Sequence, residues 1–201
     1  MMTDAESIEI FSVIRERRSV RNYTDRDVPD AALRAIIAAG IQAPPTALGL
    51  QPWRFVIVKD RALMQRVSDY CKPILIERIG AEGGTGMEEF LAALKNPGFN
   101  IFYNAPPVLV LVLGAQNAIS SFLDCALCAE NMMLAAWALG IGSCWIGSAA
   151  LVQENPPDLL TALKVPDDHQ IVAPLVFGYP APPLSPKPVR REPPRIDWVP
   201  P

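Results

Sequence analysis

The chain has 201 residues, half of them hydrophobic, with 21 acidic against 18 basic side chains and a formal net charge of -3. That length fits one large domain or two small ones with enough apolar matter for a core. The charge balance, with no Lys/Arg run longer than two residues, argues against a nucleic-acid or anionic-membrane surface, and no apolar stretch is long enough to span a bilayer.

The start, Met1–Glu9, carries acids rather than a basic region followed by an apolar one, so it does not read as a secretory signal. A cytoplasmic chain is expected, with Cys71, Cys125, Cys128 and Cys144 as reduced thiols. A first helix is predicted over roughly Glu6–Arg17 from Ile8, Ile10, Phe11, Val13 and Ile14. Arg17-Arg18-Ser19-Val20-Arg21 follows, placing three guanidinium groups and a hydroxyl within five residues. Guanidinium is always charged, and its planar fork of donors suits phosphate oxygens. The segment reads as a mononucleotide phosphate site, or otherwise as an exposed basic helix end favoured by the helix dipole. A second helix is predicted over Asp30–Gln42, opened by Pro29 and ended by Pro44-Pro45.

The loop Pro44–Trp53 contains fixed prolines, small residues and Gln51. It can present backbone donors and acceptors to a flat polar heterocycle, or simply connect a helix to a strand. Trp53–Lys59 reads as a strand and Ala62–Tyr70 as a helix. Ile79–Asn104 is weakly patterned, holds Gly80, Gly83, Gly84, Gly86 and Gly98, and reads as a mobile excursion. Pro107–Leu113 is nearly all apolar and predicts a central strand. Ser120–Leu139 predicts a buried helix stopped by Gly140 and Gly142, with Cys125 and Cys128 as core thiols rather than metal ligands.

Gly140–Gly147 allows close backbone approach, with Cys144–Ile146 extended, but lacks both the dinucleotide fingerprint and the P-loop ending. Leu159–Lys164 is predicted helical and Ile171–Phe177 a strand, with His169 in a solvated loop before it. Pro180–Pro201 holds nine of the 21 prolines together with Val189, Ile196, Trp198 and Val199. It reads as an extended arm lying on a surface, carrying Lys187, Arg190 and Arg191 as further phosphate cations or as solvated charge. Helices and strands intermix without a clean βαβ rhythm, so the class is α+β in a single domain over residues 1–201.

Four blocks together, RRSVRNYTDRDVP, PTALGLQPWRFVIVKD, ENMMLAAWALGIGSCWIG and VFGYPAPPLSPKPVRRE, resemble the nitroreductase family of flavoproteins, from about Phe11 to Trp198. The resemblance implies a mostly antiparallel sheet flanked by helices. It also implies a homodimer with FMN between the subunits and a C-terminal arm extending onto the partner. Arg17, Arg18, Ser19 and Arg21 match the family's phosphate and ribityl contact, Arg21 lying nearest the pyrimidine edge. Pro45, Thr46, Ala47, Gly49 and Gln51 belong to the loop that reaches the flavin from the partner. Here Thr46 stands where the family usually has Ser, and Gly49 where it has Asn. Cys144, Trp145, Ile146 and Gly147 match the segment behind the flavin ring, and Lys187 and Arg190 the C-terminal phosphate contacts, Arg191 competing with Arg190.

The activity so implied is NADH- or NADPH-dependent reduction, by a ping-pong mechanism, of small planar acceptors. These are nitroaromatics, quinones or activated alkenes, with no catalytic side chain and no metal. Phe90, Phe99, Phe102 and Tyr103 are candidate stacking residues. The alternatives are an FMN storage or sensor protein, and a dehalogenating or flavin-fragmenting enzyme of the same fold.

Overall fold

A computed structural model describes residues 4–45, 49–81, 86–103, 108–154, 157–183 and 191–199. The elements, in chain order, are α1 (Asp4–Glu16), α2 (Asp30–Gly40), β1 (Trp53–Val58), α3 (Arg61–Ala81), α4 (Glu88–Lys95), β2 (Val108–Ala115) and α5 (Ser121–Ala138). They continue with β3 (Gly142–Trp145), a 3₁₀ stretch (Gly147–Glu154), α6 (Pro157–Ala162) and β4 (His169–Gly178). The strands form one antiparallel sheet in the order β1-β2-β4-β3, as the α+β class anticipates.

The sheet splits the core in two. Strand side chains alternate between faces, so Leu109, Leu111 and Leu113 of β2 face Val67, Cys71, Leu94 and Phe102 on the α3 and α4 side. Val108, Val110 and Val112 face Leu33, Ile36, Cys125, Cys128 and Met132 of α2 and α5. Every β2 residue up to Gly114 is buried, which accounts for a strand that is apolar throughout. Each fully buried Val or Leu contributes roughly 1.5–3 kcal/mol. The two helices of the second face touch closely at Gly40, where a Cβ would lie 2.5 Å from Met132 Cγ.

Three elements differ from the sequence reading. α3 runs eleven residues past the expected end at Tyr70, through Pro73, to Ala81. Pro73 is exposed, and Leu75, Ile76 and Ile79 beyond it pack on the core. Their burial offsets the roughly 3 kcal/mol that an internal proline costs. Within 79–104 stands α4, whose Leu94 is buried; the glycines on either side hide its short amphipathic pattern. His169 is the first residue of β4 rather than part of a solvated loop. Its ring is 16% exposed and its Nδ1 lies 2.7 Å from Asp168 Oδ1. Of the arm, 180–183 and 191–199 are described: Pro180 bridges Tyr23, whereas 191–199 is exposed along its length and forms no regular element. No helix among the described residues is long and apolar enough to cross a membrane.

Candidate functional site

The arginine segment lies against the outer edge of β3. After α1's last bond, Arg17 N to Val13 O, the chain extends, and Val20 N donates to Ser143 O at 2.9 Å. Ser19 pairs with Ser143 in parallel and Tyr23 with Pro180 in antiparallel fashion. Thr24 N donates to Tyr179 O, and Ala181 N to Asn22 O. This seating requires Gly142, because a Cβ there would come 2.6 Å from Val20 Cγ2. Two segments far apart in the chain, Arg17–Arg21 and Cys144–Gly147, are thereby brought side by side. Cys144 and Ile146 are buried, Trp145 half-buried, and Gly147 exposed at the start of the 3₁₀ stretch.

Helix α5 orients two of the cations. Arg17 Nε lies 3.3 Å from Glu130 Oε1, close enough for an ion pair yet short of a hydrogen bond, so the buried Nε lacks a well-aligned acceptor. Two turns along α5, the Trp137 ring lies 5.4 Å beneath the Arg18 guanidinium, whose Nε donates to Glu16 O. Arg21 stands 5.7 Å from the Tyr103 ring. The aromatic chain continues edge-to-face from Tyr103 to Phe99 and from Phe99 to Phe90, whereas Phe102 is fully buried in the core.

Burial pushes the Tyr23 phenol well up, aided by Cys144 and opposed by Arg21, and its hydroxyl donates to Val20 O at 2.6 Å. Burial likewise raises the Cys144 thiol, against the opposing pull of Arg21, a Ser19 hydrogen bond and Arg17. The thiol is therefore held neutral. The site offers cations and a hydroxyl beside a neutral thiol, which is equipment for holding an anionic ligand rather than for nucleophilic attack.

The proline loop lies elsewhere. Pro52 O accepts from Ala115 N beside the start of β1, and Gly49 and Gln51 are exposed while Pro45 is half-buried. β1 and β3 are opposite edges of the sheet, about 14 Å apart at the usual strand spacing. The loop's end at Gly49–Pro52 therefore leads into the edge of the sheet opposite the arginine segment. Thr46, Ala47, Lys187 and Arg190 lie outside the described residues. The sequence reading missed Glu130 and Trp137. Their seven-residue spacing on one helix side was the available signal, masked by the helix's apolar character nearly all round.

The Nitroreductase family model matches residues 14–179. Over 173 residues the chain is 30% identical to a provisionally named NADH dehydrogenase/NAD(P)H nitroreductase of Archaeoglobus fulgidus, covering 86% of each. A nitroreductase of Bacteroides fragilis solved with bound FMN superposes with a TM-score of 0.78 at 30% identity, covering 95% of this chain and 98% of that one. An iodotyrosine deiodinase of Thermotoga neapolitana is 26% identical, covering 91% of this chain and 94% of its own.

Proposed function

The chain belongs to the nitroreductase family, and from that premise we propose an FMN-dependent oxidoreductase. It takes electrons from NADH or NADPH and passes them, in a ping-pong sequence, to nitroaromatic, quinone or activated-alkene acceptors. The observation that carries this reading is the pairing of Ser19 with Ser143, which sets three guanidinium groups beside the Cys144–Gly147 segment. The residues fit FMN. The buried Arg17 Nε has an unmet donor that a phosphate oxygen would satisfy, and the Ser19 hydroxyl and Arg18 stand next to it in sequence.

FMN, when bound, supplies the ring that accepts and returns the electron pair. Arg17 and Ser19 hold the phosphate and fix the ligand's register. Arg21 stands toward the ring end, where positive charge favours electron uptake. The Cys144–Gly147 backbone backs the ring. Pro45, Thr46, Ala47, Gly49 and Gln51 come from the second copy of a homodimer, and Lys187 and Arg190 complete the phosphate site.

Anaerobic mixing of the FMN-loaded protein with NADH or NADPH tests the reading: the flavin absorption is expected to bleach rapidly with at least one of them. Retained FMN that neither nicotinamide bleaches would overturn it in favour of a storage or sensor protein. The likeness to the Thermotoga deiodinase favours one second reading, reductive removal of halide from a halogenated aromatic. Halide release measured on the reduced protein, without nitro-group or quinone reduction, would select it.

A further inference from the structure

Helix α3 carries a polar stripe on its inner side. Gln65, Ser68 and Lys72 fall three and four residues apart, and Ser68 and Lys72 are buried. All three grip the turn that follows α4. Lys72 Nζ donates to the carbonyls of Asn96 at 2.8 Å and Phe99 at 2.9 Å. Ser68 Oγ accepts from Ile101 N at 3.1 Å, and Gln65 Oε1 from Asn100 Nδ2 at 2.7 Å. Burying an ammonium group is costly unless its donors are met. Here two of the three are met by backbone carbonyls, so the amine fixes the path of the main chain.

That path ends at Tyr103, whose φ is +56°. A tyrosine in this left-handed region is uncommon and strained. If the turn served only to close α4, glycine or asparagine would fill this position more comfortably. The strain instead delivers a ring. Tyr103 sits 5.7 Å from the Arg21 guanidinium, edge-on to Phe99 at 5.8 Å, with Phe90 next in line. The stripe on α3 is thus connected through one turn to the cation at the ring end of the site.

We propose that Lys72 is a positioning residue for Tyr103, and that the Tyr103 ring holds the Arg21 guanidinium where it governs electron uptake by the bound flavin. This rests on the placement of Arg21 at the ring end. Arg21→Ala is expected to lower the midpoint potential of bound FMN. Tyr103→Leu and Lys72→Met are expected to lower it in the same direction and to slow flavin reduction by about two- to thirtyfold, the range of a cation–ring contact.

Because the three act through one cation, Arg21→Ala combined with Tyr103→Leu should go no further than Arg21→Ala alone. In the apoprotein, Lys72→Met should weaken the near-ultraviolet dichroism that Tyr103→Leu also removes. Tyr103 is only half-buried, so its variant keeps the proposal falsifiable if Lys72→Met fails to fold. An altered potential in Arg21→Ala with none in Tyr103→Leu, or additive effects in the double variant, overturns this proposal while leaving the placement of Arg21 intact. No altered potential in Arg21→Ala overturns the placement, and the proposal with it.

Discussion

Arg17 is the residue on which the phosphate assignment turns. Its Nε faces Glu130 without a hydrogen bond, so the guanidinium is pre-oriented yet still has donor capacity. Arg17→Ala removes a charged donor worth roughly 1.5–3 kcal/mol and leaves Glu130 as an uncompensated negative charge. FMN affinity should fall about ten- to a hundredfold, while riboflavin, which lacks the phosphate, should bind almost unchanged. Titration of both flavins into the apo variant decides it, and equal losses would place Arg17 away from the phosphate.

The buried thiols give a second residue-scale expectation. Burial pushes Cys71 and Cys128 up to about 12 and Cys125 up to about 11, from an ordinary 9.0. The folded chain keeps these protons where the unfolded chain sheds them. Their contribution to stability is therefore complete below pH 9.0 and is lost as pH rises toward 11 to 12. Melting temperature should fall across that window, and less steeply in Cys125→Ala/Cys128→Ala. An equal slope in the two proteins would assign the alkaline loss to other groups.

At the scale of elements, Gly142 is the hinge of the site. A methyl group there would meet Val20 at 2.6, 2.8 and 3.0 Å, and a β-branched neighbour cannot swing aside as a long side chain does. Gly142→Ala should lift the 17–24 segment from β3, costing about 1–3 kcal/mol of stability. Unlike Arg17→Ala, it should weaken FMN and riboflavin together, because the whole segment moves. A variant with unchanged Tm and unchanged affinity for both flavins would show that the segment is not seated by this contact.

The same elements show what was legible in the sequence. β2 announced itself because its burial is continuous, and α5 because it is apolar nearly all round, although Phe122, Leu123 and Leu127 on that helix are exposed. The arginine segment and Gly140–Gly147 were each readable as clusters, but their pairing depends on a β-bridge between distant residues. The end of α3 was hidden by Pro73, whose exposed position no local pattern reveals. Tyr103 was one of four candidate aromatics. Its contact with Arg21 and the turn gripped by Lys72 separate it from Phe102, which lies in the core.

At the scale of the molecule, the chain is expected to work as a pair. The proline loop and the arginine segment belong to opposite edges of the sheet, so both can line one ligand only if the loop comes from a second copy. α1 and α5 offer the surface for it: Phe11 is 65% exposed, Phe122 59% and Leu123 61%, more apolar area than a solitary chain leaves in water without a reason. A two-fold arrangement buries the same faces of both copies and makes two equivalent sites. The arm is expected to extend this interface, since Ile196, Trp198 and Val199 are exposed on the single chain and Lys187 and Arg190 precede them. Light scattering should give about twice the 21.9 kDa chain mass at micromolar concentration. Truncation after Pro183 spares the bonds of Asn22 to Ala181 and Pro182 but removes the cations and the apolar anchors together. It should lower both Tm and FMN retention. An FMN-loaded protein that scatters as a single chain would overturn the shared site, and an unchanged Tm with full flavin retention after truncation would leave the arm without a role in it.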